Sequence, residues 1–157
     1  MARPNLHRPE FDDVREHPGF RCRRARLGTQ AGAKTLGVSI WEVPPGEAAY
    51  PYHWHLAEEE ILMVLDGRLS LRTPAGWDEL EPGDVVSCLV GEGGAHQVVN
   101  RTQEDVRFLS FSNQAVEIVV YPDSDKLGAY GRGPDSDLRL LFRRGDAVDY
   151  WEGETPP

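Results

Sequence analysis

The chain has 157 residues, a length that suits one domain with a full hydrophobic core better than two domains. Its 26 acidic and 17 basic residues give a formal net charge of −9. A general role in binding nucleic acids or anionic membranes is therefore excluded, because both partners would be repelled.

Three features of the sequence bear on its cellular compartment. The first ten residues contain no apolar run of the kind found in a secretory signal. No segment approaches the ~18 apolar residues that a membrane span requires. Cys22 and Cys88 lie far apart and form no CxxC pair, which disfavours a disulfide framework. We therefore predict a cytoplasmic protein in which Cys88 is a small buried side chain.

The first two-thirds of the chain predict an all-β fold. Residues 1–20 are rich in Pro and charge and predict a weakly structured arm, and the basic run at residues 21–26 predicts a solvated strand face. Asp66-Gly67 is a typical hairpin turn. Short apolar runs between turn residues predict a barrel or sandwich with little helix, and the predicted strands cover residues 35–43, 60–65, 68–73, 77–81, 84–88, 95–100, 106–111 and 116–121.

The C-terminal part of the sequence predicts a loop followed by a covering segment. Residues 122–137 are rich in Asp, Gly, Pro and Ser and predict a long loop, a type that is often functional or disordered. Residues 137–142 predict a last strand. Residues 145–152 predict a short helical turn that packs Val148, Tyr150 or Trp151 on the barrel.

Three histidines and one glutamate predict a metal site. In an extended segment His53 and His55 point the same way, because side chains alternate between the two faces of a strand. Glu60 follows closely enough for the chain to return a carboxylate to the same place, and His96 follows a Gly-rich turn at residues 91–94. Neutral imidazoles and a carboxylate suit a divalent transition metal such as Zn, Mn, Fe or Ni.

The same alternation predicts the surroundings of this site. If His53 and His55 face inward, an aromatic row faces outward, formed by Tyr50, Tyr52 and Trp54. The strand at residues 60–65 is apolar on both faces, which calls for a second covering layer. That layer is either the N-terminal strands or a partner subunit, and we expect a homodimer because an exposed aromatic row is unfavourable. Glu58 and Glu59, unlike Glu60, are predicted to meet solvent.

These residues resemble the two sequence motifs of the cupin superfamily. The first motif reads Gly46, six residues, His53-Trp-His55, four residues, Glu60, six residues and Gly67, where five residues usually follow the first Gly. The second motif keeps its order and its His-x-x-x-Asn spacing, but Leu89 takes the Pro position and two extra residues precede the histidine; its matching residues are Gly83, Gly91, His96 and Asn100.

The resemblance covers about residues 35–121 and implies a double-stranded β-helix, also called a cupin or jelly-roll barrel. It divides the chain into an N-terminal arm and first strand (1–34), the barrel (35–121) and a C-terminal loop and covering segment (122–157). In cupins one metal ion is bound inside the barrel by the residues that correspond to His53, His55, Glu60 and His96. The C-terminal runs are similar to those of small bacterial cupins of the sugar-phosphate isomerase-like type.

Three functions fit this interpretation. The first is a metal-dependent enzyme that acts on a small oxygen-rich metabolite as an isomerase, lyase or dioxygenase. The second is a non-catalytic module that binds or senses a small molecule. The third is a storage or stress protein with a structural metal, which an open coordination shell disfavours. An acid or base beside the metal would favour the enzyme, and a dry apolar pocket would favour binding; the sequence itself assigns no catalytic residue.

Overall fold

The computed structural model describes residues 2–114, 116–131 and 138–155. Its elements are mostly strands, and the one α-helix of the described residues, α1, spans only Leu27–Ala31. No helix in this part of the chain is long and apolar enough to cross a membrane. The strands are β1 Asp13–Arg15, β2 Cys22–Ala25, β3 Leu36–Val43, β4 Trp54–His55, β5 Glu60–Asp66, β6 Leu69–Thr73, β7 Gly76–Leu80, β8 Val85–Cys88, β9 Gln97–Val99, β10 Val106–Asn113, β11 Glu117–Tyr121, β12 Lys126–Tyr130 and β13 Arg139–Arg143.

The strands form three antiparallel sheets that make two facing walls. One wall is a six-stranded sheet in the order β1-β2-β3-β10-β5-β8. The other contains a four-stranded sheet, β13-β12-β11-β4, and a three-stranded sheet, β7-β6-β9. A single bridge between His53 and His96 joins these two smaller sheets. The predicted all-β double-stranded β-helix is therefore confirmed.

The main core lies between the two walls. Inward side chains of β3, β5 and β10 meet inward side chains of β6 and β9, because alternate residues of each strand face the interior. Each large side chain buried there stabilises the fold by about 1.5–3 kcal/mol. The buried cluster includes Trp41, Val43, Leu62, Val64, Leu69, Leu71, Val98, Val106 and Phe108. Cys22 and Cys88 are also buried in this core as free thiols, as the sequence predicts for Cys88.

A second apolar cluster covers the outside of the six-stranded sheet. Leu27 of α1 is buried with Ile40 and Leu109, and Met63 and Leu65 of β5 pack against this cluster. Residues of the N-terminal arm, Leu6 and Phe11, complete it. The apolar outer face of β5 is therefore covered by the protein's own N-terminal segment, which was one of the two predicted possibilities.

The ends of the chain differ from the sequence prediction. Strand β1 lies within the arm at residues 1–20 that was predicted to be weakly structured, and β12 lies within the predicted loop at 122–137. In both cases pairing with a neighbouring strand overrides a weak local signal. In β12 the signal is weak because the strand contains Gly128 and Ala129, which have low strand propensity. The predicted last strand is found as β13, although Asp137 lies outside the described residues.

The predicted packing of the C-terminal turn on the barrel is wrong. A short 3-10 turn occurs at Arg144–Asp146. Val148, Tyr150 and Trp151 are nevertheless 68%, 81% and 71% exposed. The sequence shows that these side chains are apolar, but it does not show whether they contact the barrel.

Two glycines hold turns that the fold requires. Gly67, in the predicted hairpin turn, has φ of 74°, a conformation that side chains rarely adopt. Gly94 ends the 3-10 turn before His96, and a Cβ atom there would overlap the backbone oxygen of Leu89.

The contact at Gly94 leads to a stability prediction. Gly94→Ala should lower the free energy of unfolding by roughly 1–3 kcal/mol, because the loop must move away from the added methyl group. Urea unfolding followed by tryptophan fluorescence measures this change. Gly93→Ala is the matched control, since nothing lies within 4 Å of a Cβ at that position. Equal stability of the two variants would contradict the close packing of this loop.

Candidate metal centre

The four predicted residues converge inside the barrel. His55 lies in β4, Glu60 begins β5, and His53 and His96 pair across the bridge that joins the smaller sheets. One side-chain nitrogen or oxygen atom from each residue lies within 4.8 Å of those of the others. All three histidines are at most 8% exposed. The geometry therefore brings together every residue of the predicted set.

Backbone carbonyls orient two of the imidazoles. Nδ1 of His53 lies 2.8 Å from the oxygen of Pro51, and Nδ1 of His96 lies 3.0 Å from the oxygen of Gly94. Because a carbonyl oxygen only accepts hydrogen bonds, Nδ1 is the donor in both rings. Nε2 of each ring is then the nitrogen that can donate a lone pair, and hydrogen bonds of this kind typically orient metal-binding histidines.

The remaining polar atoms of the cluster fit a divalent cation. Oε2 of Glu60 lies 3.1 Å from Nε2 of His96 and 3.5 Å from Nε2 of His55. Both ring nitrogens of His55 are buried without a hydrogen-bond partner among the described residues. Leaving such an atom unpaired costs about 1–3 kcal/mol. A cation at the centre would satisfy these atoms, and the N and O donor set suits a transition metal.

The charges of the cluster are strongly coupled. Burial, together with His96 and His55, lowers the pKa of His53 to about 3. Burial opposes protonation of His96 too, but contacts with Cys88 and Glu60 outweigh it and raise its pKa to about 10. Burial would raise the pKa of Glu60, yet the hydrogen bond with His96 and the close contact with His55 hold it well below its usual value. The Glu60 carboxylate therefore favours a positive charge beside it.

Two further buried carboxylates lie on the other side of His55. Glu58 and Glu117 are 2% and 0% exposed, and their oxygens lie within 4.8 Å of a ring nitrogen of His55 and of each other. The predicted exposure of Glu58 is therefore wrong, whereas Glu59 is exposed. The reason is that Glu58 belongs to the loop between β4 and β5, where strand alternation does not apply.

Glu58 and Glu117 have distinct hydrogen bonds. The Ser112 hydroxyl donates to Glu58 at 2.8 Å. The backbone N–H of Leu56 donates to Oε1 of Glu117 at 2.9 Å, while Oε2 of Glu117 has no partner among the described residues. The sequence reasoning missed Glu117. Its one signal is an acidic residue inside an otherwise apolar strand, β11.

The predicted outward aromatic row is also wrong. Tyr50 packs inside the barrel, with its ring centre 4.9 Å from that of His53 and 5.6 Å from that of His96. Tyr52 instead stacks against the guanidinium of Arg72, at 4.0 Å. The regular strand β4 contains only Trp54 and His55, so the alternation assumed for residues 50–55 fails before it.

The cluster opens onto a polar cleft of about 970 Å³. One wall is formed by small and polar side chains of β3 and β10, namely Gly37, Ser39, Ser110 and Ser112. The opposite wall includes Tyr121 and Tyr130, whose hydroxyls lie 2.8 Å apart, and the Tyr121 ring stacks on His53 at 5.9 Å. Burial and the contact with Tyr130 raise the pKa of Tyr121, which therefore keeps its proton at neutral pH.

Both terminal segments border the cleft. The N-terminal part contributes Asp13, Arg15 and Phe20, and the C-terminal strands contribute Lys126, Tyr130, Arg139 and Leu141. The C-terminal strands thus contact the cleft, whereas Val148, Tyr150 and Trp151 are not among the described residues that line it.

Comparison with solved structures finds proteins that share this fold over most of the chain. A sugar phosphate isomerase of the cupin superfamily from Silicibacter pomeroyi is 26% identical, with a TM-score of 0.79 over 92% of this chain and 94% of that protein. A proposed sugar phosphate isomerase from Acidithiobacillus ferrooxidans is 26% identical, with a TM-score of 0.73 over 84% of this chain and 82% of that protein. The polyketide cyclase RemF from Streptomyces resistomycificus is 27% identical, with a TM-score of 0.59 over 72% and 79% of the two chains.

Sequence comparison agrees with the structural comparison. No curated protein sequence gives a significant match. Residues 39–112 match the family model of the cupin domain, Cupin_2. This match contains the whole four-residue cluster, and the surrounding strands have the fold of the solved cupin relatives. Residues 39–112 of this chain therefore contain a cupin domain, as the two motifs predict.

Proposed function

We propose that this protein is a metal-dependent enzyme that acts on a small oxygen-rich metabolite, by isomerase or lyase chemistry in preference to dioxygenase chemistry. His53, His55, Glu60 and His96 would hold one divalent transition metal, Zn, Mn, Fe or Ni. The observation that carries the proposal is the opening of this cluster onto a polar cleft of about 970 Å³. Bound there, the metal would supply Lewis acidity toward a hydroxyl or carbonyl oxygen.

Groups outside the ligand set support an enzyme over a binding module. Tyr121 lines the cleft, stacks on His53 and keeps its proton, so it is suited to donate a hydrogen bond or proton to a ligand oxygen. Glu58 also lines the cleft, beside His55, and its carboxylate is suited to accept a proton. A general acid and a general base in one site are what isomerisation and elimination require.

The relatives favour the same class of reaction. Two solved structures at 26% identity are described as a sugar phosphate isomerase and a proposed one. RemF, at 27% identity, is a cyclase. One fold hosts many chemistries, so these names support the class and leave the substrate to experiment. The alternative is a non-catalytic module that binds or senses a small molecule, and the acid and base groups of Tyr121 and Glu58 in the cleft favour the enzyme over it.

The first prediction concerns metal content. Elemental analysis of the purified protein should find about one transition-metal ion per chain, and the double variant His53→Ala/His96→Ala should lose it while staying folded. The variant His7→Ala is the matched control, because this histidine lies in the exposed arm. Binding should weaken in mild acid, since imidazoles must be neutral to bind a metal. Unchanged metal content in the double variant would disprove the ligand assignment.

The second prediction concerns turnover. Metal-loaded protein should convert at least one compound in a screen of sugars, sugar phosphates, keto acids and aromatics. Tyr121→Phe and Glu58→Gln should each lower kcat by roughly 10²–10⁴-fold without loss of metal, because each removes a proton-transfer group. Tyr52→Phe is the control, since Tyr52 stacks on Arg72 and does not line the cleft.

The outcomes of this screen separate the candidate functions. Turnover that survives in the His53→Ala/His96→Ala variant would contradict a metal-dependent mechanism. Tight binding without turnover across all compound classes would instead identify a binding or sensing protein.

We also propose that the protein forms a homodimer, with the C-terminal segment as the contact surface in place of the disproved aromatic row. Exposed apolar side chains occur on β13 and after it, and β13 pairs only with β12 within the described part of the chain. Such an edge is unfavourable in water. The members are Leu140, Phe142, Val148, Tyr150 and Trp151, between 46% and 81% exposed.

The dimer prediction is tested by sedimentation at micromolar concentration. The expected mass is about twice the chain mass of 17.6 kDa, and Phe142→Asp should shift the protein toward the monomer. Trp77→Asp is the control on a different sheet, where an exposed aromatic ring stacks with Arg101. A wild-type protein that sediments as a monomer would disprove the proposal.

A further inference from the structure

The basic run at residues 21–26 contains one arginine that differs from the others. Arg21 pairs with Glu47 at 2.8 Å, and Arg26 pairs with Asp12 at 3.3 Å. Arg23 pairs with Glu42, which Arg107 also contacts. The remaining arginine, Arg24, has no carboxylate partner among the described residues. The predicted solvated face therefore describes Arg21, Arg23 and Arg26, which are ion-paired, but it does not describe Arg24.

Arg24 lies on the inner face of β2. Because strand residues alternate, Arg24 points to the same side as Cys22, which is buried in the main core. Its Nε donates to the hydroxyl of Ser39 at 3.0 Å, and its guanidinium lies 4.8 Å from the Trp41 ring centre. Its two Nη atoms have no hydrogen-bond partner in the part of the chain that the structure describes. Their donors are available to a ligand.

A second guanidinium lies beside the first. Arg15 lies 4.9 Å from the centre of the same Trp41 ring, donates to the backbone oxygen of Ala49 at 3.3 Å and contacts Asp13 at 3.3 Å. Burial and the charge of Arg15 lower the pKa of Arg24. Of these two neighbouring cations only Arg15 pairs with a carboxylate among the described residues, although the whole chain has a net charge of −9. Such an excess of positive charge is favourable where an anion completes the site.

The two arginines face the same cleft as the four-residue cluster. Arg15, Arg24 and Ser39 line it together with His53 and Glu60. In the six-stranded sheet, β3 and β10 separate β2 from β5, so the strands of Arg24 and Glu60 are about three strand spacings apart, or roughly 14 Å across the sheet. The two residues are also offset along the strands, because Arg24 is level with Phe108 of β10 and Glu60 is level with Ser112. Both side chains extend into the cleft, which leaves a gap that a small metabolite can span.

We propose that Arg24 and Arg15 form an oxyanion subsite that binds a phosphate or carboxylate group of the ligand while its hydroxyl or carbonyl oxygens face the four-residue cluster. This inference deepens the proposed function and rests on it for the role of the cluster. The planar guanidinium of Arg24 offers parallel donors to two oxygens of one anionic group. The subsite therefore selects for an acidic metabolite and fixes which of its ends approaches the metal site.

Binding of simple anions tests the subsite without knowledge of the substrate. Isothermal titration calorimetry with inorganic phosphate and, separately, with acetate should detect binding to the wild-type protein that weakens as salt increases. Arg24→Gln should reduce the affinity at least about tenfold, the loss expected for a charge-assisted hydrogen bond. The tighter of the two anions identifies the group that the ligand carries.

Matched variants exclude indirect effects. Arg23→Gln removes the neighbouring arginine on the outer face and should leave anion affinity unchanged. If Arg24→Gln fails to fold, Arg24→Lys keeps the charge but loses the planar fork, and Arg15→Gln removes the second guanidinium; both should bind more weakly than the wild type. Equal affinity of the folded Arg24 variants and the wild type, or no binding of either anion to the wild type, would overturn the proposal.

Metal analysis separates this test from that of the proposed function. Arg24→Gln should retain its metal, because the arginine is not part of the ligand cluster. The His53→Ala/His96→Ala variant should still bind the anion, since the subsite lies on a different strand from the cluster. Loss of anion binding in that double variant would show that the anion binds at the metal and would overturn the arginine assignment.

Discussion

The bridge between His53 and His96 is the constraint on which both the fold and the site depend. The N–H of His53 donates to the oxygen of His96 at 3.1 Å, and the N–H of His96 donates to the oxygen of His53 at 2.8 Å. This exchange joins the four-stranded and three-stranded sheets and places both imidazoles on the same face. A one-residue shift of register would turn an imidazole out of the barrel. The backbone pairing that joins the two smaller sheets therefore also brings the histidines of the cluster together.

The register of β3 and β10 divides the barrel interior into an apolar half and a polar half. Trp41 pairs with Phe108 and closes the core, whereas the next inward pairs toward the mouth, Ser39–Ser110 and Gly37–Ser112, have small side chains. The cleft is the space that these small residues leave. The four-residue cluster lies at this boundary. Tyr50 packs against His53 and His96 on the core side, and the serines of β3 and β10 line the cleft.

Sequence reasoning predicted the parts of this structure that depend on regular strands and turns. The His-x-His spacing, the Asp66-Gly67 turn and the second motif located the four-residue cluster because alternation and turn geometry hold at those positions. The reasoning failed for Glu58 and Tyr50, which lie where the chain leaves the strand. It also could not single out Arg24, because a run of arginines looks alike until the partners of each one are known.

The cleft combines opposite charges at two ends. The carboxylate and imidazoles of the cluster favour a cation, whereas Arg24 and Arg15, on the wall that also carries Glu60, favour an anion. The hydrogen-bonded pair of Tyr121 and Tyr130 approaches from the other wall. A ligand with one anionic group and neighbouring oxygens can contact the four-residue cluster, the two arginines and the two tyrosines together in only one orientation. Burying the charged side chains of Arg24 and Glu60 costs folding stability. Charged side chains in a cleft at such a cost are expected where the orientation of a ligand, more than packing, determines which residues are present.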